Sequence, residues 1–222
     1  MRTAILIPVL DEADALPVVL REIGTEFRVI VCDNGSIDSS PAIARSLGAE
    51  VVFWPVRGYG GAVRRGMQEL SKNPPEIVVV LDGDHSSFID DLPALLAPIQ
   101  RGEADFVLGE RVTLAESGAL TPQQRWGNLL ACRLIQTRTG FPYKDMGPLR
   151  AIRWEALVSL AMEDLTWGWN VEMQMKAVKI GLRIHEVPVR YRARIGTSKI
   201  SGTLAGVVRA GAKIMWACWK YR

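Results

Sequence analysis

Two aspartates separated by one glycine, Asp82-Gly83-Asp84, follow a run of five branched apolar residues, Ile77-Val78-Val79-Val80-Leu81. Such a run reads as a strand buried on both faces, the habit of a parallel sheet. Ligands of open α/β sheets bind beyond the carboxyl ends of the strands, so both carboxylates stand where chemistry is expected. Side chains alternate along a strand, but a turn at Gly83 can bring the two acids to one cation. Hard oxygen ligands of this kind suit Mg2+ or Mn2+ rather than zinc. The same residues also suit an acid-rich turn that caps the next helix. The pattern alone leaves both readings open.

Further acids end earlier apolar runs. Asp11 and Glu12 follow the run over residues 3–9, and Asp33 follows the run over 27–32. Each could cap a helix, but together they line one edge of one sheet. There they suit ribose hydroxyls, base N–H groups and a divalent cation bridging phosphates. The loop Arg57-Gly58-Tyr59-Gly60-Gly61-Ala62-Val63 invites a dinucleotide reading, which fails because Val63 stands where the third glycine belongs. The loop also follows the third strand, and no P-loop Lys-Ser/Thr comes after it. It remains either a flexible strand–helix turn or a backbone that approaches a nucleotide.

These acids need a scaffold, and the chain alternates strand with helix to supply one. Strands are expected over 3–9, 27–32, 50–54, 77–81 and 105–109, with helices over 13–24, 38–47, 61–71 and 92–101. That rhythm predicts an α/β fold with a Rossmann-like, mostly parallel sheet and helices on both faces. Beyond residue 110 it changes to a polar loop (111–121), a long helix (122–139) and a turn-rich connector (140–146). A short strand (149–152), helices over 153–159 and 171–180, and a strand over 183–189 follow. With no repeat, low-complexity tract or linker, residues 1–202 read as one domain. Residues 203–222 form a basic, partly amphipathic terminal helix that packs on the domain or contacts a membrane surface.

The bulk numbers exclude several classes. Of 222 residues, 48% are apolar and 23% charged, which argues against disorder. A net charge of +3 supports no nucleic-acid partner. The distribution says more: Arg183, Arg190, Arg192, Arg194 and Lys199 crowd together, and the last fourteen residues contain no acid. Such crowding suits phosphate or an anionic membrane. Cys32, Cys132 and Cys218 lie far apart without C-x-x-C spacing, predicting a reducing compartment and no zinc. No signal peptide and no spanning apolar run are visible. The expected location is cytoplasmic, peripheral on the inner membrane surface.

The ordered set Ile7-Pro8-Val9-Leu10-Asp11-Glu12, Val31 through Asp38, Arg57 through Ala62 and Asp82-Gly83-Asp84 resembles family 2 inverting glycosyltransferases. Their fold is the nucleotide-sugar-binding GT-A type. Gly109-Glu110-Arg111, Asp145 through Ala151, and Glu186-Val187-Pro188-Val189 through Gly196-Thr197-Ser198-Lys199 narrow the likeness. These are similar to dolichyl- or polyprenyl-phosphate mannose or glucose synthases, and the match spans nearly the whole chain. The resemblance implies that Glu12 and Asp33 hold the nucleoside, with Pro8, Gly60 and Gly83 shaping the nucleotide-sugar pocket. It places Asp82 near the ribose or the metal and Asp84 on Mg2+ or Mn2+. Arg111, Arg125, Arg194, Ser198 and Lys199 match positions that meet the donor diphosphate or the acceptor phosphate. Asp84, Arg111, Arg194 and Lys199 form the implied catalytic set, and Asp145 and Glu172 match acids of the acceptor half. Relatives often carry Asn, Asp and Gln where this chain has Asp11, Asn34 and Ser86. Ser86 or His85 is left to complete the ion's coordination.

The implied reaction moves a hexose from GDP-mannose or UDP-glucose to polyprenyl or dolichyl phosphate with inversion. A phosphate monoester has a second pKa of about 6, so this acceptor is already anionic at neutral pH. It needs positioning by fixed cations more than a general base. The alternatives are a family 2 enzyme acting on a saccharide or other hydroxyl, and a non-catalytic nucleotide-sugar-binding adaptor. A nucleotidyltransferase would want a glycine-rich, lysine-bearing loop near the N-terminus, which is missing. Neither the base nor the oligomeric state is legible in the sequence.

Overall fold

The computed structural model describes residues 1–196 and 204–221. Ser198 and Lys199 lie outside the described residues. Strand β1 (Thr3–Val9) is followed by helix α1 (Leu16–Ile23), β2 (Arg28–Asp33), α2 (Ser40–Ser46), β3 (Glu50–Phe53) and α3 (Tyr59–Leu70). Next come β4 (Ile77–Val80), α4 (Leu92–Gln100), β5 (Phe106–Ala115), α5 (Pro122–Thr139) and β6 (Arg150–Arg153). Helices α6 (Trp154–Ser159) and α7 (Trp169–Lys179), strand β7 (Ile184–Tyr191) and helix α8 (Leu204–Lys220) complete the described chain.

One seven-stranded sheet runs in the order β3-β2-β1-β4-β6-β5-β7. Only β6 opposes its neighbours, pairing antiparallel with both β4 and β5. All other pairs are parallel, so their carboxyl ends share one edge. The alternation along β1 explains the layers. Ala4 and Leu6 join the core beneath α3, α5, α6, α7 and α8, whereas Ile5, Ile7 and Val9 join the core beneath α1, α2 and α4. Both faces are covered, which is why the strands read as unbroken apolar runs.

Two departures from the sequence reading bear on the site. Residues 111–115, expected as loop, extend β5 along β7, with an irregularity in register between Glu110 and Leu114. That half of the strand is partly exposed, so no unbroken apolar run marks it. Helix α1 starts later than expected, at Leu16, because Asp11 sits in the left-handed region (φ 53°) and the chain turns there first.

Helix α8 packs on its own domain, burying Ala217, Cys218 and Tyr221, while Met215, Trp216 and Trp219 stay exposed. Helix α5 beside it buries Ala131, Cys132 and Ile135 and exposes Trp126, Leu129 and Leu130. Among the described residues, no helix is long and apolar enough to cross a membrane.

Candidate active site

The carboxyl edge of the sheet opens into a cleft of about 740 Å3 lined by Pro8, Glu12, Asn34, Arg57, Asp82 and Asp84, among others. Arg194 closes it from the β7 side, and Thr166, Trp167 and Lys213 form another wall. The acids end up here because four parallel strands finish at this edge.

Loops after β1, β2 and β3 are laced together. Asp11 Oδ1 accepts from the Ile37 amide at 2.7 Å, and Ser40 Oγ accepts from the Glu12 amide at 2.9 Å. Asn34 ties β2 to the glycine loop: its amide group donates to the Val56 carbonyl at 2.7 Å and its oxygen accepts from Gly58 N–H at 2.7 Å. Relatives' acid at this position would accept but could not donate. Of the two residues that the resemblance marks as departures, Asn34 thus lines the cleft and Asp11 braces the loop after β2.

The aspartates after β4 are held differently from expectation. Gly83 is not in the left-handed region; the positive φ falls on His85, at 63°. Gly83 is needed for space, since a Cβ there would meet Val9 Cγ2 at 3.1 Å and Ile7 Cγ2 at 3.2 Å. The turn therefore lies flush on β1. Asp84 is buried, its Oδ1 accepting from the Ser86 amide at 2.9 Å and its Oδ2 ion-paired with the Arg194 guanidinium. Burial first, then the charge of Asp84, push Asp82 up to about 7, against the pull of Arg194, Arg111 and Arg150. A half-buried and a buried carboxylate crowd together here, an arrangement that suits a cation.

His85 does not complete a metal site. Its Nε2 lies 2.8 Å from Glu22 Oε1, and Arg192 bonds both Glu22 and the His85 carbonyl. Ser86 is fully buried, and its Oγ has no hydrogen-bond partner among the described residues. No group of three or more His, Cys, Asp or Glu among the described residues could hold a metal. The carboxylates that the described residues bring together on the cleft after β4 are Asp82 and Asp84. Two carboxylates suit an ion such as Mg2+, which takes its remaining ligands from substrate phosphates and water.

Several residues singled out by the sequence lie behind the cleft. Asp33 is buried, and its Oδ1 accepts from the Ser36 amide at 3.1 Å. Gly60 faces backbone: its amide donates to the Thr166 carbonyl at 3.2 Å, and a Cβ would meet the Asp164 carbonyl at 2.0 Å. Gly60 lets α3 dock on residues 164–166, while Gly58 of the same loop lines the cleft. Arg111 donates to the buried Asp145 through its amide at 2.9 Å and its Nε at 3.1 Å, and stacks over Tyr191. Glu172, wholly buried, accepts from the Glu163 and Asp164 amides at 2.8 and 2.7 Å and pairs with Lys176. Arg125 is exposed on α5, away from the cleft lining.

Three residues receive no role from the sequence, although Arg57 and Arg150 stand within the family-like stretches. Arg150, wholly buried on β6, lies close enough to influence Asp82 and donates to the Gly147 carbonyl. Arg57 lines the cleft from the glycine loop. Lys213 reaches the same cleft from α8 and pairs with Asp164 at 2.7 Å. Partners so distant in the chain have no spacing to read.

The family model described as glycosyl transferase family 2 matches residues 4–157. The chain belongs to that family. An uncharacterized glycosyltransferase of Mycobacterium tuberculosis is 38% identical over 208 residues, 93% of each chain. A dolichyl-phosphate hexose transferase of Haloferax volcanii is 33% identical over 225 residues, covering 99% of this chain and 95% of that one. Among solved structures, glucosyl-3-phosphoglycerate synthase of M. tuberculosis, in complex with Mn2+, UDP-glucose and phosphoglyceric acid, superposes with a TM-score of 0.73. It shares 22% identity and covers 98% of this chain and 80% of its own. The GT-A fold and the glycosyltransferase activity expected from the sequence both hold.

Proposed function

We propose that this glycosyltransferase moves a hexose from a nucleotide sugar to a polyprenyl or dolichyl phosphate, with inversion and with a divalent cation. The observation that carries the reading is one cleft with both signs of charge. Asp82 and Asp84 line it together with Arg57, Arg194 and Lys213, drawn from three separate segments. A donor diphosphate and an acceptor phosphate together need that many cations. The dolichyl-phosphate hexose transferase likeness over 99% of the chain supports the acceptor class.

In this reading Glu12, Pro8 and Asn34 seat the nucleoside, and Asp82 and Asp84 hold Mg2+ or Mn2+. The ion, when bound, neutralises charge on the diphosphate. Arg194, released from Asp84 onto phosphate, orients the acceptor. An acceptor phosphate oxygen forms the new bond to the anomeric carbon as that carbon's bond to the β-phosphate oxygen breaks, and nucleoside diphosphate leaves. The acceptor is already deprotonated, so no side chain has to take a proton.

A lipid acceptor also requires a membrane surface. Exposed Trp126, Leu129 and Leu130 on α5, with Met215, Trp216 and Trp219 on α8, suit one. The second reading, a soluble phosphorylated acceptor, draws on the synthase whose solved complex holds phosphoglyceric acid. Radiolabelled UDP-glucose and GDP-mannose, offered with polyprenyl phosphate or with phosphoglyceric acid, separate the two. Label entering the lipid phase with Mn2+ is the expected result. Label found only in phosphoglycerate would replace the lipid reading.

A further inference from the structure

Lys213 belongs to the terminal helix, yet its side chain lines the cleft and is only 27% exposed. Its ammonium lies 2.7 Å from Asp164 Oδ2 and 4.0 Å from the centre of the Trp216 ring. Asp164 is itself immobilised. Its Oδ1 accepts from the Thr166 amide at 2.7 Å and the Thr166 hydroxyl at 2.8 Å, while its own amide donates to Glu172 at 2.7 Å. Burial raises the Asp164 carboxyl, but Lys213 and Thr166 outweigh it and hold the group below the ordinary range. Gly168 leaves room for the pair: a Cβ there would meet Asp164 Oδ2 at 2.3 Å and Lys213 Cε at 2.9 Å. A lysine serving only to fasten α8 would have no reason to face the ligand cleft. That fastening already exists in the Lys220–Glu163 pair at 2.9 Å.

We propose that Lys213 is a phosphate-binding residue of this cleft, aimed by Asp164, so that the terminal helix supplies part of the active site. An ammonium carries three donors, and Asp164 takes one, so a ligand phosphate can accept another. This rests on the proposed function for the presence of phosphate in the cleft. The phosphate is either the donor's or the acceptor's, and the same chemistry serves both.

The test pairs Lys213→Met, which keeps the stem over Trp216 and removes the charge, with Gly168→Ala, which displaces the pair and leaves both charges in place. Calorimetry with UDP, GDP, uridine and guanosine reads the donor arm, and the KM for farnesyl phosphate reads the acceptor arm. Lys213→Met is expected to lose about 10- to 100-fold in one arm, Gly168→Ala a smaller amount in the same arm, and Lys213→Arg to recover most of it. Loss for UDP or GDP with unchanged nucleoside binding assigns the donor diphosphate. A raised farnesyl phosphate KM with nucleotide affinity kept assigns the acceptor. Unchanged values in both arms, in variants with wild-type circular dichroism, overturn the lysine's role alone. A wild-type protein that binds neither nucleotide overturns the proposed function with it.

Discussion

Acids from the two halves of the chain share one chemistry and meet different fates. Asp82 and Asp84, after β4, line a cleft and compete for Arg194. Asp145 and Glu172, after β5, are fully buried and already satisfied, by Arg111 in one case and by two backbone amides and Lys176 in the other. The first pair faces the cleft, whereas the second is tied to fixed donors behind it. A family resemblance marks both as functional positions, and access to the cleft with a partner inventory separates them. An acid whose oxygens all face fixed donors has nothing left to bind.

That contrast can be broken by mutation. Asp84→Asn should cut sugar transfer by about 100- to 1,000-fold while the melting temperature stays close to wild type. A variant retaining most activity would move Asp84 into the structural class. Glu172→Ala should do the reverse, costing about 3–5 kcal/mol in urea unfolding because Lys176 and two buried amides lose their partner. Lost activity at full stability would place Glu172 among the ligand-binding acids.

Smaller effects sharpen the boundary. A Cβ at Gly61 would meet Trp54 Nε1 at 2.1 Å, so Gly61→Ala should cost about 1–3 kcal/mol by overpacking. Glu22, paired with His85 and Arg192 outside the cleft, should matter least: Glu22→Ala costs under about 1 kcal/mol and leaves turnover unchanged. Burial raises the Glu22 carboxyl, but His85 and Arg192 outweigh it and lower it overall. Its contribution is therefore present above the ordinary carboxylate range and fades as pH falls through the lowered value. Melting curves of wild type and variant should converge in acid. Divergence there would contradict the pairing.

Much of the first half was legible because its strands are covered on both faces and end in acids at one edge. The alternation of strands and helices put Glu12, Asp82 and Asp84 at one sheet edge, and the ordered family resemblance supplied their expected roles. The second half was less legible for physical reasons. The outer part of β5, Arg111-Val112-Thr113-Leu114-Ala115, is partly exposed and mixes polar with apolar residues, so it reads as loop. Strand β6 is four residues long and antiparallel, and nothing in Arg150-Ala151-Ile152-Arg153 announces that its first arginine will be wholly buried. Gly60 was read as an approach to a ligand because a missing side chain looks the same whether it makes room for a nucleotide or for the backbone of residues 164–166. The Lys213–Asp164 contact joins α8 to the loop before α7, a neighbourhood that only the fold creates.

The most direct test of the central claim is calorimetric titration of UDP-glucose and GDP-mannose into the wild-type protein and Asp84→Asn, each with and without Mn2+. Binding of one nucleotide sugar that strengthens with Mn2+ in the wild type, and loses that dependence in Asp84→Asn, is the predicted result. Equal binding by both proteins, indifferent to Mn2+, would contradict a cleft organised around the aspartates after β4.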